Sequence, residues 1–241
     1  MVLLLFTPAP LSGQKHAAPG QATGAGRKYS VKQLTIEQGL SDNNVNACLQ
    51  DRTGYLWFGT HDGLNRYDGY SFTVYKHSPG DSSSISNNKI NALLEDEEGF
   101  LWIATDGGLN CFDPRTETFR SFLHDPEDEK SISHNQVKNL LIDESGLLWL
   151  GTFNGLNRFD KSRQTFSRFW HQATHHLPWE KEPTHIVTAI GSSADGRLLV
   201  GYAGMGLMLF DQKAGTFRQV LVEERADKGT GLNIYRIAPP Q

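Results

Sequence analysis

The sequence predicts an all-β chain built as a β-propeller of four-stranded antiparallel blades, in an incomplete ring of four blades plus the start of a fifth. Three observations carry this. Trp, Gly and Asp recur together every ~45–50 residues, the period of a propeller blade: Trp57, Trp102 and Trp149, with Leu199 in the fourth slot; Gly54, Gly99, Gly146 and Gly196; Asp68, Asp113, Asp160 and Asp211. Each copy divides into four short runs of aromatic and branched residues bounded by turn residues. No segment places apolar residues at helical spacing.

The units span residues 40–75, 85–122, 132–169 and, in a more worn copy, 186–220. In the first unit the strands are Val45 to Leu49, Leu56-Trp57-Phe58, Leu64 to Tyr67, and the stretch holding Phe72 and Tyr75. Strands one and two are joined by Asp-x-x-Gly, as in Asp51 to Gly54, Asp96 to Gly99 and Asp143 to Gly146. Asp bonds its own local backbone in such a turn, and Gly accepts positive φ. Strands three and four are joined by Asp113-Pro114-Arg115-Thr116 in the cleanest copy. A single such sheet cannot bury both faces. Radial stacking covers each sheet from both sides, so the strands are apolar almost throughout. The tryptophans are therefore expected between blades. An open β-solenoid, the structural rival, has shorter repeats.

Residues 232–237, Leu-Asn-Ile-Tyr-Arg-Ile, read as the first strand of a fifth unit. The expected ring is thus larger than four blades, and a partial ring exposes apolar faces that favour a homodimer. The propeller is expected over 29–241. Residues 1–28 read as a disordered leader: a short apolar run, Met1 to Phe6, then a Pro/Ala/Gly-rich stretch. The run is too short to span a bilayer. It is either a remnant of a secretory signal or a leader without a role.

Hydrophobic residues are 38% and charged residues 21%, an ordinary globular balance, and the net charge of -4 gives no steering toward nucleic acid. Cys48 and Cys111 make no disulfide framework. Both read as unpaired, Cys48 as a small buried hydrophobe because Leu93 and Leu140 fill its slot in later copies.

Motifs for chemistry are missing. The sequence has no phosphate loop leading into a helix, no Gly-x-Ser-x-Gly elbow and no calcium-loop spacing. The inner-strand copies carry Asn46, Asn91, Lys138 and Thr188, which are poor acids for a glycan-cleaving pair. No catalytic residue, cofactor or metal is expected. His171, His175, His176 and His185 crowd segment 170–185, yet prolines and the lack of a carboxylate pattern favour an interblade loop over a zinc site.

Strand alternation puts the loops entering strand one on the same face as the turns between strands two and three. The long segments 76–84, 123–131 and 170–185 thus join the short turns, where the copies differ most. The ligand-binding candidates are His61, Asp62, Asp106, Phe153, Asn154 and Tyr202. Variable loops on a rigid scaffold are where binding is expected.

The units Asn43 to Asp68, Asn88 to Asp113 and Asn135 to Asp160, with a degenerate copy ending at Asp211, resemble the two-component regulator propeller repeat; Ala104 departs from the Gly found at Gly59 and Gly151. The resemblance implies the start of a large sensor on the periplasmic or extracytoplasmic side of the inner membrane. Carbohydrate fragments are typical inputs in the family, and the remaining blades and a histidine kinase module would follow in a longer chain. It implies binding and relay, not catalysis. The repeat motif carries no ligand residue over to named positions. Two alternatives stay open on the sequence: a stand-alone protein-binding or adhesion propeller scaffold, and a glycan lyase or hydrolase propeller.

Overall fold

A computed structural model describes residues 2–6, 30–171, 185–193, 195–220, 234 and 237. Four sheets are present, each a four-stranded antiparallel meander. Blade one holds β3 (Val45–Gln50), β4 (Leu56–Thr60), β5 (Gly63–Tyr67) and β6 (Phe72–Tyr75). Blade two holds β7 (Ile90–Glu95), β8 (Leu101–Thr105), β9 (Gly108–Asp113) and β10 (Thr118–Phe122). Blade three holds β11 (Val137–Ile142), β12 (Leu148–Thr152), β13 (Gly155–Asp160) and β14 (Thr165–Phe169). Blade four holds β15 (Val187–Ser192), β16 (Leu198–Tyr202), β17 (Gly206–Asp211) and β18 (Thr216–Gln219). Before them, β1 (Val2–Phe6) pairs antiparallel with β2 (Ser30–Leu34). Of the segment 1–28 expected as a leader, residue 1 and residues 7–28 lie outside the described residues.

The core sits between the blades. Trp57 packs with Ile90, Ile103 and Phe112 of blade two. Trp102 packs with Val137, Leu150 and Phe159 of blade three. Trp149 packs with Val187, Val200 and Phe210 of blade four. Each Trp meets the next blade's Phe edge to face, at centroid distances of 5.3, 5.3 and 5.6 Å, the arrangement favoured by the ring quadrupole. Among the described residues no core cluster joins blade four to blade one, so the sheets form an arc and no closed ring. On the outer side of blade one, Leu34 and Leu40 cover Phe58 and Tyr67.

The Asp of each Asp-x-x-Gly turn does more than close the turn. One carboxylate oxygen accepts two local backbone N–H groups, and the other accepts the indole: Trp57 Nε1 to Asp51 at 2.7 Å, Trp102 to Asp96 at 2.7 Å and Trp149 to Asp143 at 2.8 Å. The buried donor is thereby satisfied. Blade four lost both partners together, with Ser193 and Leu199 in those slots. The turn glycines Gly54, Gly99, Gly146 and Gly196 all take positive φ, between 77 and 97°.

Every inner strand has a register shift after its first residue. Polar side chains there reach the next blade: Asn46 Nδ2 donates to Ile90 O at 2.8 Å, Asn91 to Val137 O at 2.7 Å and Asn139 to Val187 O at 3.3 Å. Thr188 donates to Ile234 O in the same way. The second strand comes equally close. A Cβ added at Gly59 would lie 2.5 Å from Ile90 Cγ2, at Gly151 2.5 Å from Val187 Cγ1, and at Gly201 2.9 Å from Ile234 Cβ. Ile234 therefore stands against blade four as Ile90 and Val187 stand against theirs. The rest of 232–237, except Ile237, lies outside the described residues.

Gly59→Ala is expected to destabilise by about 1–3 kcal/mol through overpacking against Ile90. Ala104→Gly, at the one blade that accommodates a methyl, should cost only about 0.5–1 kcal/mol through strand entropy. Urea melts of the two variants measure the contrast.

One expectation needs correction. Cys48 is exposed, and not the buried hydrophobe its slot suggested. Leu93 and Leu140, its counterparts, pack on the preceding blade, whereas among the described residues no blade precedes blade one, and Leu34 and Leu40 cover Phe58 on that face but leave Cys48 open. Apart from strands, the described residues hold one 3-10 turn, Ile36–Gln38, closed by a Thr35/Gln38 capping box.

Candidate ligand-binding face

Backbone bonds tie the turns between second and third strands to the entry of the next blade. Gly63 N donates to Asn88 O at 2.8 Å, Gly108 N to Asn135 O at 2.6 Å and Gly155 N to His185 O at 2.8 Å. Turns and entry loops thus share one face, as strand alternation requires.

A clasp repeated three times fixes that face. In blade three Ser133 N donates to Asn157 Oδ1 at 2.9 Å, Asn157 Nδ2 returns a bond to Ser133 Oγ at 2.7 Å, and Ser133 Oγ meets Thr152 Oγ1 at 3.0 Å. Thr152 Oγ1 donates on to Gly155 O. Ser41, Thr60 and Asn65 repeat this in blade one, and Ser86, Thr105 and Asn110 in blade two. All three Thr and Asn side chains are fully buried. In blade four the Thr slot holds Tyr202 and the Asn slot Met208, both buried. His171 packs edge-on to the Tyr202 ring at 4.4 Å and lies 5.0 Å from the His185 ring. His175 and His176 lie outside the described residues, and no group of three metal-ligating side chains forms among those described.

The six candidates separate. His61 is exposed and bonds through its backbone to Asn44 O. Asp62 pairs with Lys76 at 2.6 Å and accepts from Asn88. Asn154 accepts the indole N–H of Trp170, which is 43% exposed. Tyr202 is completely buried and lies beneath the face, because as the last residue of its strand, paired with Gly206, it fills the slot of Thr60, Thr105 and Thr152 and precedes the turn.

Asp106 and Phe153 come together through Lys138. Asp106 receives Lys138 Nζ at 2.7 Å and Asn91 Nδ2 at 2.8 Å on one oxygen, and Lys89 Nζ at 2.9 Å on the other. The Lys138 ammonium also stands 5.0 Å from the centroid of the Phe153 ring, a cation–π distance. His134 stacks on the same ring. Burial disfavours the charge on Asp106, but the bonds from Lys138, Asn91 and Lys89 outweigh it and hold the carboxyl at about 2. Burial pushes the His134 imidazole below its ordinary value, with His124 adding to the effect.

Lys89, Lys138 and Asn91 were not among the candidates. The signal was in the repeat: Lys138 stands where sister blades carry Asn46, Asn91 and Thr188. Asp106→Asn would leave two ammonium groups without their shared counter-charge. Lys89 is 43% exposed, so water screens part of the loss, and the expected cost at neutral pH is about 1 kcal/mol. A depressed folded pKa contributes stability above the unfolded value, lost as pH falls through the folded one. The difference between variant and parent should therefore shrink as urea melts are taken from about pH 6 toward about pH 2.

The family profile described as Two component regulator propeller matches residues 39–62, 84–107 and 131–154. Those three segments carry the repeat of this propeller family. Each matched segment runs from the clasp serine across the inner strand and the Asp–Trp pair into the next turn. Blade four, which lacks Asp, Trp and clasp, is not among the matched segments. Histidine kinase P4 of Formosa agariphila is 46% identical over 57 residues, 24% of this chain and 4% of that protein. A solved structure described as the extracellular domain of a hybrid two-component system from B. thetaiotaomicron is 29% identical, with a TM-score of 0.69 over 83% of this chain and 27% of that one. A virginiamycin B lyase from Staphylococcus aureus, 13% identical with a TM-score of 0.56 over 83% of this chain and 62% of that one, shares the fold alone. The chain thus spans a small part of the two regulators.

Proposed function

We propose that this propeller is a non-catalytic sensor module that binds a saccharide signal outside the cytoplasm and passes it to a histidine kinase. The observation that carries the reading is the uneven conservation between blades of one molecule. Trp, Asp, Gly and the clasp repeat with little change, while Lys89, Asp106, Lys138 and Phe153 differ from their sister positions and converge on one face. A scaffold held constant beneath a singular polar cluster is the arrangement of a recognition site. The family's repeat and likeness to a kinase and to an extracellular regulator domain favour signalling over catalysis. No helix among the described residues is long and apolar enough to cross a membrane.

Binding would couple to output through blade packing. The cluster spans the entry of blade two, its β8–β9 turn and the inner strand of blade three, so a ligand there biases how these blades sit against each other. Titrating the purified chain with oligosaccharide mixtures, followed by amide NMR, tests the reading. Shifts centred on Lys89, Asp106 and Lys138 with the sugars recovered intact are expected. Cleaved sugars, or binding of proteins alone, would overturn it.

A further inference from the structure

The Asp106 cluster has a charge imbalance. Two ammonium groups, Lys89 and Lys138, share one carboxylate at 2.9 and 2.7 Å. Both oxygens of Asp106 are engaged, Oδ1 twice, by Lys138 and Asn91. Each ammonium has three N–H donors, of which Asp106 takes one. Donors remain on both, in a chain whose net charge is -4. The neighbouring Lys76–Asp62 pair, at 2.6 Å, is balanced one to one. His134 adds no charge at neutral pH, since burial disfavours its protonated form. One excess positive charge is therefore fixed at the junction of blades two and three.

The lysines are pre-positioned. Asp106 and Lys138 are only 17% and 24% exposed, while Lys89 at 43% reaches toward solvent. Asn91 orients the carboxylate from below, and the Phe153 ring flanks Lys138. A second anion arriving here would find donors already ordered by the first, so it would spend less conformational entropy than at a free lysine. Sister blades show that this is no structural need: Asn46 and Asn91 occupy the Lys138 slot and bond the next blade's backbone, while Asn44 and Gln136 occupy the Lys89 slot.

We propose that Lys89 and Lys138, held apart and aimed by Asp106, anchor an oxyanion of the ligand, a carboxylate or sulfate carried on an acidic saccharide. The proposal rests on the sensor reading above and names its ligand class. The acidic group replaces solvent on the two ammonium groups, and the sugar extends over the turns that carry Phe153 and Asn154.

The test uses the intact chain and calorimetric titration with two sets of oligosaccharides. The acidic set comes from polygalacturonate, alginate and chondroitin sulfate; the neutral set from galactan, mannan and laminarin. At least one acidic ligand is expected to bind roughly tenfold or more tightly than any neutral one, the scale of one charge-assisted hydrogen bond. Its affinity should fall with added salt. Lys138→Asn, which installs the residue of blades one and two and so preserves the fold, and Lys89→Gln should each remove that preference. Sodium sulfate and sodium galacturonate, titrated alone, separate charge from sugar: competition by galacturonate but not sulfate assigns a carboxylate, and the reverse a sulfate. Binding by neutral sugars at this face without an acidic preference would overturn the proposal while leaving the sensor reading intact. Acidic binding unchanged in both lysine variants would also overturn it. Binding by neither set would count against both.

Discussion

Trp149→Ala should lower the unfolding free energy by about 3–5 kcal/mol, the range for removing a fully buried large aromatic side chain. The ring is completely buried. It meets Phe210 of the next blade at 5.6 Å and Phe169 of its own at 5.8 Å. Its indole satisfies Asp143, a carboxylate only 8% exposed. Removal therefore leaves a void between two sheets and a buried charge short of one donor. Trp149→Phe separates the two effects. It keeps most of the apolar contact and loses the bond to a charged group, for an expected cost of about 1.5–3 kcal/mol. Leu199→Ala, in the slot where blade four lacks both Trp and Asp, should cost less than Trp149→Ala. Urea melts followed by far-UV dichroism measure all three. A loss under about 1 kcal/mol for Trp149→Ala would mean that this ring is not between blades.

Asn157→Leu should cost about 2–3 kcal/mol and loosen segment 123–131. The shape is nearly kept, but the Ser133 N–H loses its acceptor inside a fully buried site. Ser133 Oγ loses its donor as well. Ser133 anchors the C-terminal end of the loop before it, which is otherwise held by its own turns and by side-chain and backbone bonds, among them His124 N to Asn135 Oδ1 at 2.7 Å, Arg168 to Ser131 O at 2.8 Å and Phe166 N to Lys130 O at 2.7 Å. Limited trypsin digestion should therefore cut after Lys130 faster in the variant than in the parent. The same substitution at Asn110 should act on segment 76–84. If stability falls while cleavage stays unchanged, the clasp supports the sheet and does not fix the loop face.

Much of the fold was legible because its causes are periodic. Strand bounds, turn glycines and interblade tryptophans each recur at one spacing, and the structure places them where the repeat puts them. The polar closures were harder to read. Ser133 and Asn157 are separated by 24 residues, and Ser133 and Thr152 by 19, so no local pattern links them. Their repetition at Ser41, Ser86, Thr60, Thr105, Asn65 and Asn110 was nevertheless visible and would have revealed them. The Asp–Trp bond was hidden for another reason: a turn already accounted for the Asp, so its second oxygen went unassigned.

The candidate site was half legible. Comparing copies at the variable turn singled out Asp106 and Phe153. It also singled out His61, Asp62, Asn154 and Tyr202, which the structure does not bring to the same point. Lys89 and Lys138 lie on a strand entry and an inner strand, outside the turns that were compared. Lys89 comes to Asp106 through the β7–β8 register, in which Asp106 N donates to Lys89 O, and Lys138 through the packing of β11 beside the β8–β9 turn.

The central claim is that the repeated tryptophans lie between stacked sheets, each indole N–H engaged by its turn Asp. Hydrogen exchange of the indole N–H groups, assigned by single Trp→Phe substitutions, tests this directly. Trp57, Trp102 and Trp149 should exchange far more slowly than the exposed Trp170. Exchange of those three as fast as that of Trp170 would contradict the stacked-blade account.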